Sequence, residues 1–125
     1  METIALFRAS DWALAIDVTD EAWCRCTLIG VKTAIFLGAE SLSYLRDHLM
    51  SIFDQNAVGI RSQWAGYDEV RWILTLAEAY HSLYVANDGP DRTLLWQDKH
   101  AQLICTMRLT LEDCARWRSQ IESME

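Results

Sequence analysis

The chain has 125 residues, of which 51% are hydrophobic and 23% charged, with one proline and five glycines. That balance gives one globular domain and excludes a disordered chain, a coiled coil and a low-complexity or collagen-like sequence. Eleven basic against eighteen acidic residues leave a net charge of −7, spread over both halves, and no cluster of cations suited to nucleic-acid phosphates.

The opening METIALFRASDW has an acid at position 2 and no long apolar run, so it reads as a chain without an export signal, placed in the cytoplasm. No apolar stretch approaches the roughly 20 residues of a membrane span. Strand-like runs follow at 12–16, 22–28 and 33–37, with a turn at 17–21 and a break at Gly30. A helix is expected over 39–53. Glu40 and Ser41 open it, and Leu42, Leu45, Leu49, Ile52 and Phe53 recur at helical spacing with Arg46 and Asp47 opposite. Gln55, Asn56 and Gly59 end it.

The next segment reads two ways. As strands, Trp72, Leu74 and Leu76 alternate, then His81, Leu83 and Val85, with a bend at 77–79. As a third helix over 69–86, Ile73, Ala77, Tyr80 and Leu83 form a stripe that Asp68 caps and Gly89-Pro90 stops. The strand reading is preferred. Strands follow at 92–96 and 101–109 around the polar turn 97–100. A helix over 110–124 closes the chain, with Thr110 and Asp113 spaced as a capping box and Leu111, Cys114, Trp117 and Ile121 as its apolar stripe. Six positions from Leu37 to Ser51 match Leu109 to Ser123 at an offset of 72, which fits either an internal duplication or one helix pattern used twice. The fold class is α+β: a mainly antiparallel twisted sheet of about six strands packed on two helices.

Chemistry-bearing residues are sparse. Cys24, Cys26, Cys105 and Cys114 are expected as free thiols, since the Cys-x-Cys pair lacks the spacing and the second pair of a zinc site. No metal or cofactor is expected. His48 and His100 read as structural, and His81, between apolar neighbours, is the one histidine on which a small hydrolase could rest. Acid pairs occur at Asp20-Glu21, Asp68-Glu69 and Asp88 with Asp91, all assigned to turns or loops. Six tryptophans are many for this length, and Trp64, with Tyr67, sits in a connection between elements, where an aromatic can anchor a partner or, the reading preferred for Trp64, fold back as a lid over the core.

The order of elements runs through IFLGAESLSYLRDHL, a Trp64-containing connection, further strands, and a last helix after Met107-Arg108-Leu109-Thr110. In this pattern the chain resembles small bacterial immunity proteins that protect against wall-associated polymorphic toxins. The resemblance implies a cytosolic inhibitor that occludes a toxin's active site. Trp64, Tyr67, Asp68, Glu69, Asp88 and Asp91 are the expected partner-binding residues, and a basic toxin or nuclease is the expected partner. The alternatives are a phage-encoded inhibitor of a host nuclease or defence complex, a hydrolase using His81 and nearby acids, and a subunit that dimerises through a sheet edge.

Overall fold

The computed structural model describes residues 2–20, 22–54 and 57–124. Among the described residues are nine strands in two antiparallel sheets and two α-helices, so the α+β class holds. The first sheet is a meander of β1 (Glu2–Ala9), β2 (Trp12–Asp20), β3 (Trp23–Ile29) and β4 (Ala34–Ser41). Helix α1 (Leu42–Met50) follows, extended by one 3-10 turn at Ser51–Phe53. The second sheet is β5 (Ile60–Arg61), β6 (Glu69–Thr75), β7 (Ser82–Asp88), β8 (Asp91–Gln97) and β9 (Leu103–Leu109), and α2 (Leu111–Glu122) closes the chain. Each half is thus an antiparallel meander, of four strands in the first and five in the second, followed by a helix.

The strands outnumber the sequence expectation because β1 lacks a clear apolar alternation and was not foreseen. Its sequence ETIALFRA is buried fully only at Phe7 and Ala9. Strand β2 continues to Asp20, past the expected start of a turn at Asp17, and Glu21 lies outside the described residues, as do Gln55 and Asn56 at the expected end of the first helix. The helix expected at 39–53 begins only after Ser41, because 39–41 still pair with β3. Ser41 caps α1 by accepting the Tyr44 N–H at 3.2 Å. The capping box of α2 forms as expected: Asp113 N donates to Thr110 Oγ1 at 3.1 Å, and Thr110 N to Asp113 Oδ2 at 3.0 Å.

Residues 69–86 form β6 and β7, not a third helix. Helical pitch would have brought Tyr80 to the core side, whereas here it is exposed and Leu74, Leu76, Leu83 and Val85 are buried at strand spacing. The bend between the strands works without glycine or asparagine: Glu78 (φ 71°) and Tyr80 (φ 57°) take left-handed backbone themselves. Leu111 is exposed and so leaves the stripe expected of α2.

One core joins both sheets and both helices. Leu45, Leu49 and Ile52 enter it from the first half, and Trp117, Ile121 and Met124 from the second. Each helix also serves the other half's first strand. Trp117 Nε1 and an Arg116 Nη donate to the Arg8 carbonyl at 2.9 and 2.7 Å, and Gln120 Nε2 donates to the Leu6 carbonyl at 3.2 Å. In return the Tyr44 hydroxyl donates to the Thr75 carbonyl at 3.1 Å and accepts the Thr75 N–H at 3.3 Å. Edge groups of β1 and β6 that would template aggregation are thereby partnered.

The two sheets touch at β4. Ala39 and Ala77 exchange backbone bonds at 3.0 and 3.1 Å, and the His81 N–H donates to the Leu37 carbonyl at 3.3 Å. Gly38 makes this approach possible. A Cβ there would stand 2.3 Å from the Ala77 oxygen and 2.6 Å from Leu76 Cβ, and φ is +135°. Gly38→Ala should therefore cost about 2–4 kcal/mol from combined backbone strain and steric overlap. Leu49→Ala should cost about 2–5 kcal/mol by leaving a cavity in the shared core. Urea unfolding of both variants measures these values, and a loss under about 0.5 kcal/mol in either would show the contact to be slack.

Candidate functional site

The connection 57–68 crosses the outward face of the second sheet. Strand alternation turns Val70, Ala86 and Leu95 away from the main core, and Trp64, Tyr67, Tyr84 and Leu103 pack over them as a second, smaller cluster. Ser62 shapes the crossing: its Oγ accepts the Trp64 N–H at 2.9 Å, and its N–H donates to the Asp68 carbonyl at 2.9 Å. The Trp64 ring stands edge-on to Tyr84 at 5.2 Å and 71°. Trp64 is consequently a half-buried cover for the sheet, with much of its surface already used inside the molecule.

Beside this cover lies a groove of about 580 Å³. Tyr67, Asp68, Glu69 and Asp88 line it together with Arg71 and Asn87, over a floor that includes Val70, Ala86 and Thr93. Four of the six expected partner-binding residues therefore meet at one concave surface. Trp64 and Asp91 do not line it. Asp68 and Glu69 are exposed, and no cation pairs with either among the described residues. Asp91 is held by Arg108 at 2.7 Å, with a second bond from Arg108 Nε at 3.1 Å, and Asp88 lies 3.5 Å from the same guanidinium. That pairing holds the Arg108 pKa above its usual range, first through the Asp91 hydrogen bond. The Gly89-Pro90 turn, with Gly89 at φ 59°, sets Asp88 opposite Asp91 so that one arginine can reach both. Arg71 reaches past the groove, donating to the Ile52 and Asp54 carbonyls at 3.4 and 3.2 Å.

Arg71, Asn87 and Thr93 were not foreseen from the sequence. They enter the groove through strand register, since Ala86 pairs with Thr93 and Asn87 with Arg92, and register is not legible before the hairpins are known.

The histidines stay apart from the groove. His48 stacks on Tyr44 at 3.8 Å, its Nδ1 lies 2.8 Å from the Tyr44 carbonyl, and Trp72 meets it edge-on at 5.8 Å. His81 is half-buried in the bend after β6, where its backbone serves the sheet contact. His100 sits in the β8–β9 turn, where the Asp98 carboxylate accepts the His100 and Gln102 N–H groups at 2.8 and 3.0 Å. Those backbone bonds, the Gln102 bond first, hold Asp98 below the usual carboxylate range. Among the described residues no three His, Cys, Asp or Glu side chains converge as metal ligands, and no helix is long and apolar enough to cross a membrane. The chain matches no family model, no curated protein and no solved structure.

All four cysteines are free, and Cys24, Cys26 and Cys105 are buried. Burial pushes the Cys26 thiol up, and raises Cys105 from 9.0 to about 11. Unfolding releases these thiols to ionise near 9, so the stability they contribute is full below that pH and is lost as pH rises toward 11. Urea unfolding at pH 8 and pH 10 should show a lower midpoint at pH 10, and Cys105→Val should lessen the drop. Ellman titration should find four thiols in the unfolded chain. Fewer than four in protein purified without oxidant would mean a disulfide forms.

Proposed function

We propose that the chain is a binding protein whose groove receives a basic segment of another protein, and that it acts as an inhibitor by covering that partner's active surface. The observation that carries this reading is the meeting of Asp68, Glu69 and Asp88 with Tyr67 around one groove on a chain of net charge −7. The Asp68 and Glu69 carboxylates, with no cation paired to either among the described residues, attract a cationic partner from a distance and then accept its hydrogen bonds at contact. The aromatic edge of Tyr67 adds apolar and cation–π contact for a lysine or arginine stem. Toxin immunity is the form of inhibition that best fits, with a basic toxin or nuclease as the partner. His81, on which a hydrolase would rest, does not line the groove.

A short tetra-arginine peptide is a direct probe. Its titration should move the backbone amide signals of Asp68, Glu69, Asn87 and Asp88 in a saturable way. Raising salt from about 50 to about 200 mM should weaken that binding several-fold, because screening shortens the reach of surface charge. Replacing both acids, Asp68→Lys with Glu69→Lys, should abolish the shifts and leave the unfolding midpoint nearly unchanged, since exposed charges contribute little to folding. Shifts scattered over the surface, or indifferent to the double substitution, would overturn the groove as the binding site. The inhibitor role is tested in cells with the product of an adjacent toxin-like gene: the wild-type chain should relieve its growth arrest and the doubly substituted chain should not.

A further inference from the structure

A second, smaller pocket of about 240 Å³ opens between the 3-10 turn, the β7–β8 turn and the first turns of α2. Its walls are Phe53, Pro90, Leu111 and Cys114, with Arg92 and Arg118 as its two charged members. Two cations in a small, mostly apolar pocket stand out in a chain with eighteen acids and eleven bases. Arg92 is the more telling. It is only 5% exposed, and its Nε–H has no hydrogen-bond partner. Its bonds run from Nη1 to the carbonyls of Asp91 at 3.0 Å and Pro90 at 3.5 Å. A buried cation requires an anion or a full set of acceptors, and an orphaned buried N–H is costly.

Neither Asp91 nor Asp113, whose charges are felt at Cys114 in the pocket wall, supplies that anion. Asp91 is turned to Arg108 at 2.7 Å, and Asp113 to Arg116 at 2.8 Å. Arg118 touches Glu122 at 3.4 Å in a pair that is more than half exposed and easily displaced. Nor does the fold itself ask for a cation here. Arg92 is the second residue of β8, and the second residue of β3 in the other sheet, Cys24, is wholly buried and uncharged.

We infer that this pocket binds a carboxylate carried on a short apolar body. The carboxylate would lie against the Arg92 guanidinium, with Arg118 closing over it, and the apolar part would rest on Phe53 and Leu111. A planar guanidinium matches a carboxylate with two parallel hydrogen bonds, which suits an arginine rather than a lysine at the base. The volume admits one small acid or the last residue of a peptide, and both carry the same group.

The test uses the intact chain and three probes: isovalerate, its neutral analogue isovaleramide, and acetyl-Gly-Gly-Leu with a free carboxyl terminus. Nitrogen-15 spectra report the arginine Nε–H signals and the amides of Leu111, Cys114 and Ala115. At least one of the acids should move the Arg92 Nε–H and these amides saturably, with a dissociation constant of about 1 mM, and the amide should bind at least tenfold more weakly. The tighter of the two acids identifies the source of the carboxylate. Arg92→Gln should erase the preference for acid over amide. Should that variant fail to fold, Ala115→Trp, at an exposed position on the pocket wall, should block the acid while leaving the unfolding midpoint in place. Equal binding of acid and amide, or acid binding that survives Ala115→Trp, overturns the inference. The groove around Asp68 takes no part in this experiment, so its outcome is independent of the proposed inhibitor role.

Discussion

The absence of a side chain at Gly38 governs how the two halves of the molecule meet. The Ala77 carbonyl lies where a Cβ would be, so the bend after β6 can press directly on β4 and exchange backbone bonds with Ala39. That contact fixes one seam between the sheets. The opposite seam is fixed differently, by α2 side chains that reach the carbonyls of Leu6 and Arg8. With both seams held, the inward faces of eight strands enclose a single core, and each helix is committed to a strand of the other half. Neither half could bury its own apolar face alone, which makes folding of the two a single cooperative event.

Much of this was legible from residue order. Helical spacing at Leu45, Leu49, Trp117 and Ile121 marks the four side chains that prove wholly buried, and the Thr110–Asp113 box marks the start of α2 to the residue. The alternation of Leu74 with Leu76 and of Leu83 with Val85 marks the hairpin that competes with a helix there, whereas Trp72, expected on the same face, is exposed because a bulge separates it from Leu74. What was not legible depends on contacts distant in sequence. β1 has polar and small residues on its exposed side, and becomes a strand because β2 and α2 partner it. Of the six positions matching at an offset of 72, three are core in both halves: Leu37, Leu45 and Leu49 correspond to Leu109, Trp117 and Ile121. The halves have four and five strands rather than the three expected in each, because β1 carries the weakest pattern and β5 is only two residues long.

The candidate groove divides in the same way. The acids were assigned to turns, whereas Glu69, Asp88 and Asp91 are end residues of β6, β7 and β8, and Asp68, Glu69 and Asp88 prove to be neighbours only because the connection folds back over β6 and β7. From its place in a connection Trp64 could be an anchor or a lid, and the outward face of the second sheet, which presents Val70, Ala86 and Leu95, makes it a lid. Asp91 looked equivalent to Asp88, yet the hairpin gives it the nearer place to Arg108 and leaves it largely neutralised. The net charge of the chain thus says little about any single acid, and the distinction between paired and unpaired carboxylates emerges only with the sheet in place.

The two halves share an architecture and differ in what they place at equivalent points, and those differences are where chemistry enters. Read as a strand, Arg92, Leu94 and Trp96 fall on one face, and Leu94 and Trp96 leave no doubt that the face is the inward one. An arginine in that phase is a charge sent into the core by a sequence that elsewhere keeps its cations at the surface. The third strand of the first half meets the same geometric demand with Cys24, Cys26 and Leu28, all buried and none charged. Packing therefore explains Leu94 and Trp96, whereas the Arg92 guanidinium has the Pro90 and Asp91 carbonyls as acceptors and leaves its Nε–H unpartnered. Its desolvation works against folding unless something negative meets it. Arg92 stands at the start of β8, where it lines the pocket beside Phe53, Pro90 and Leu111.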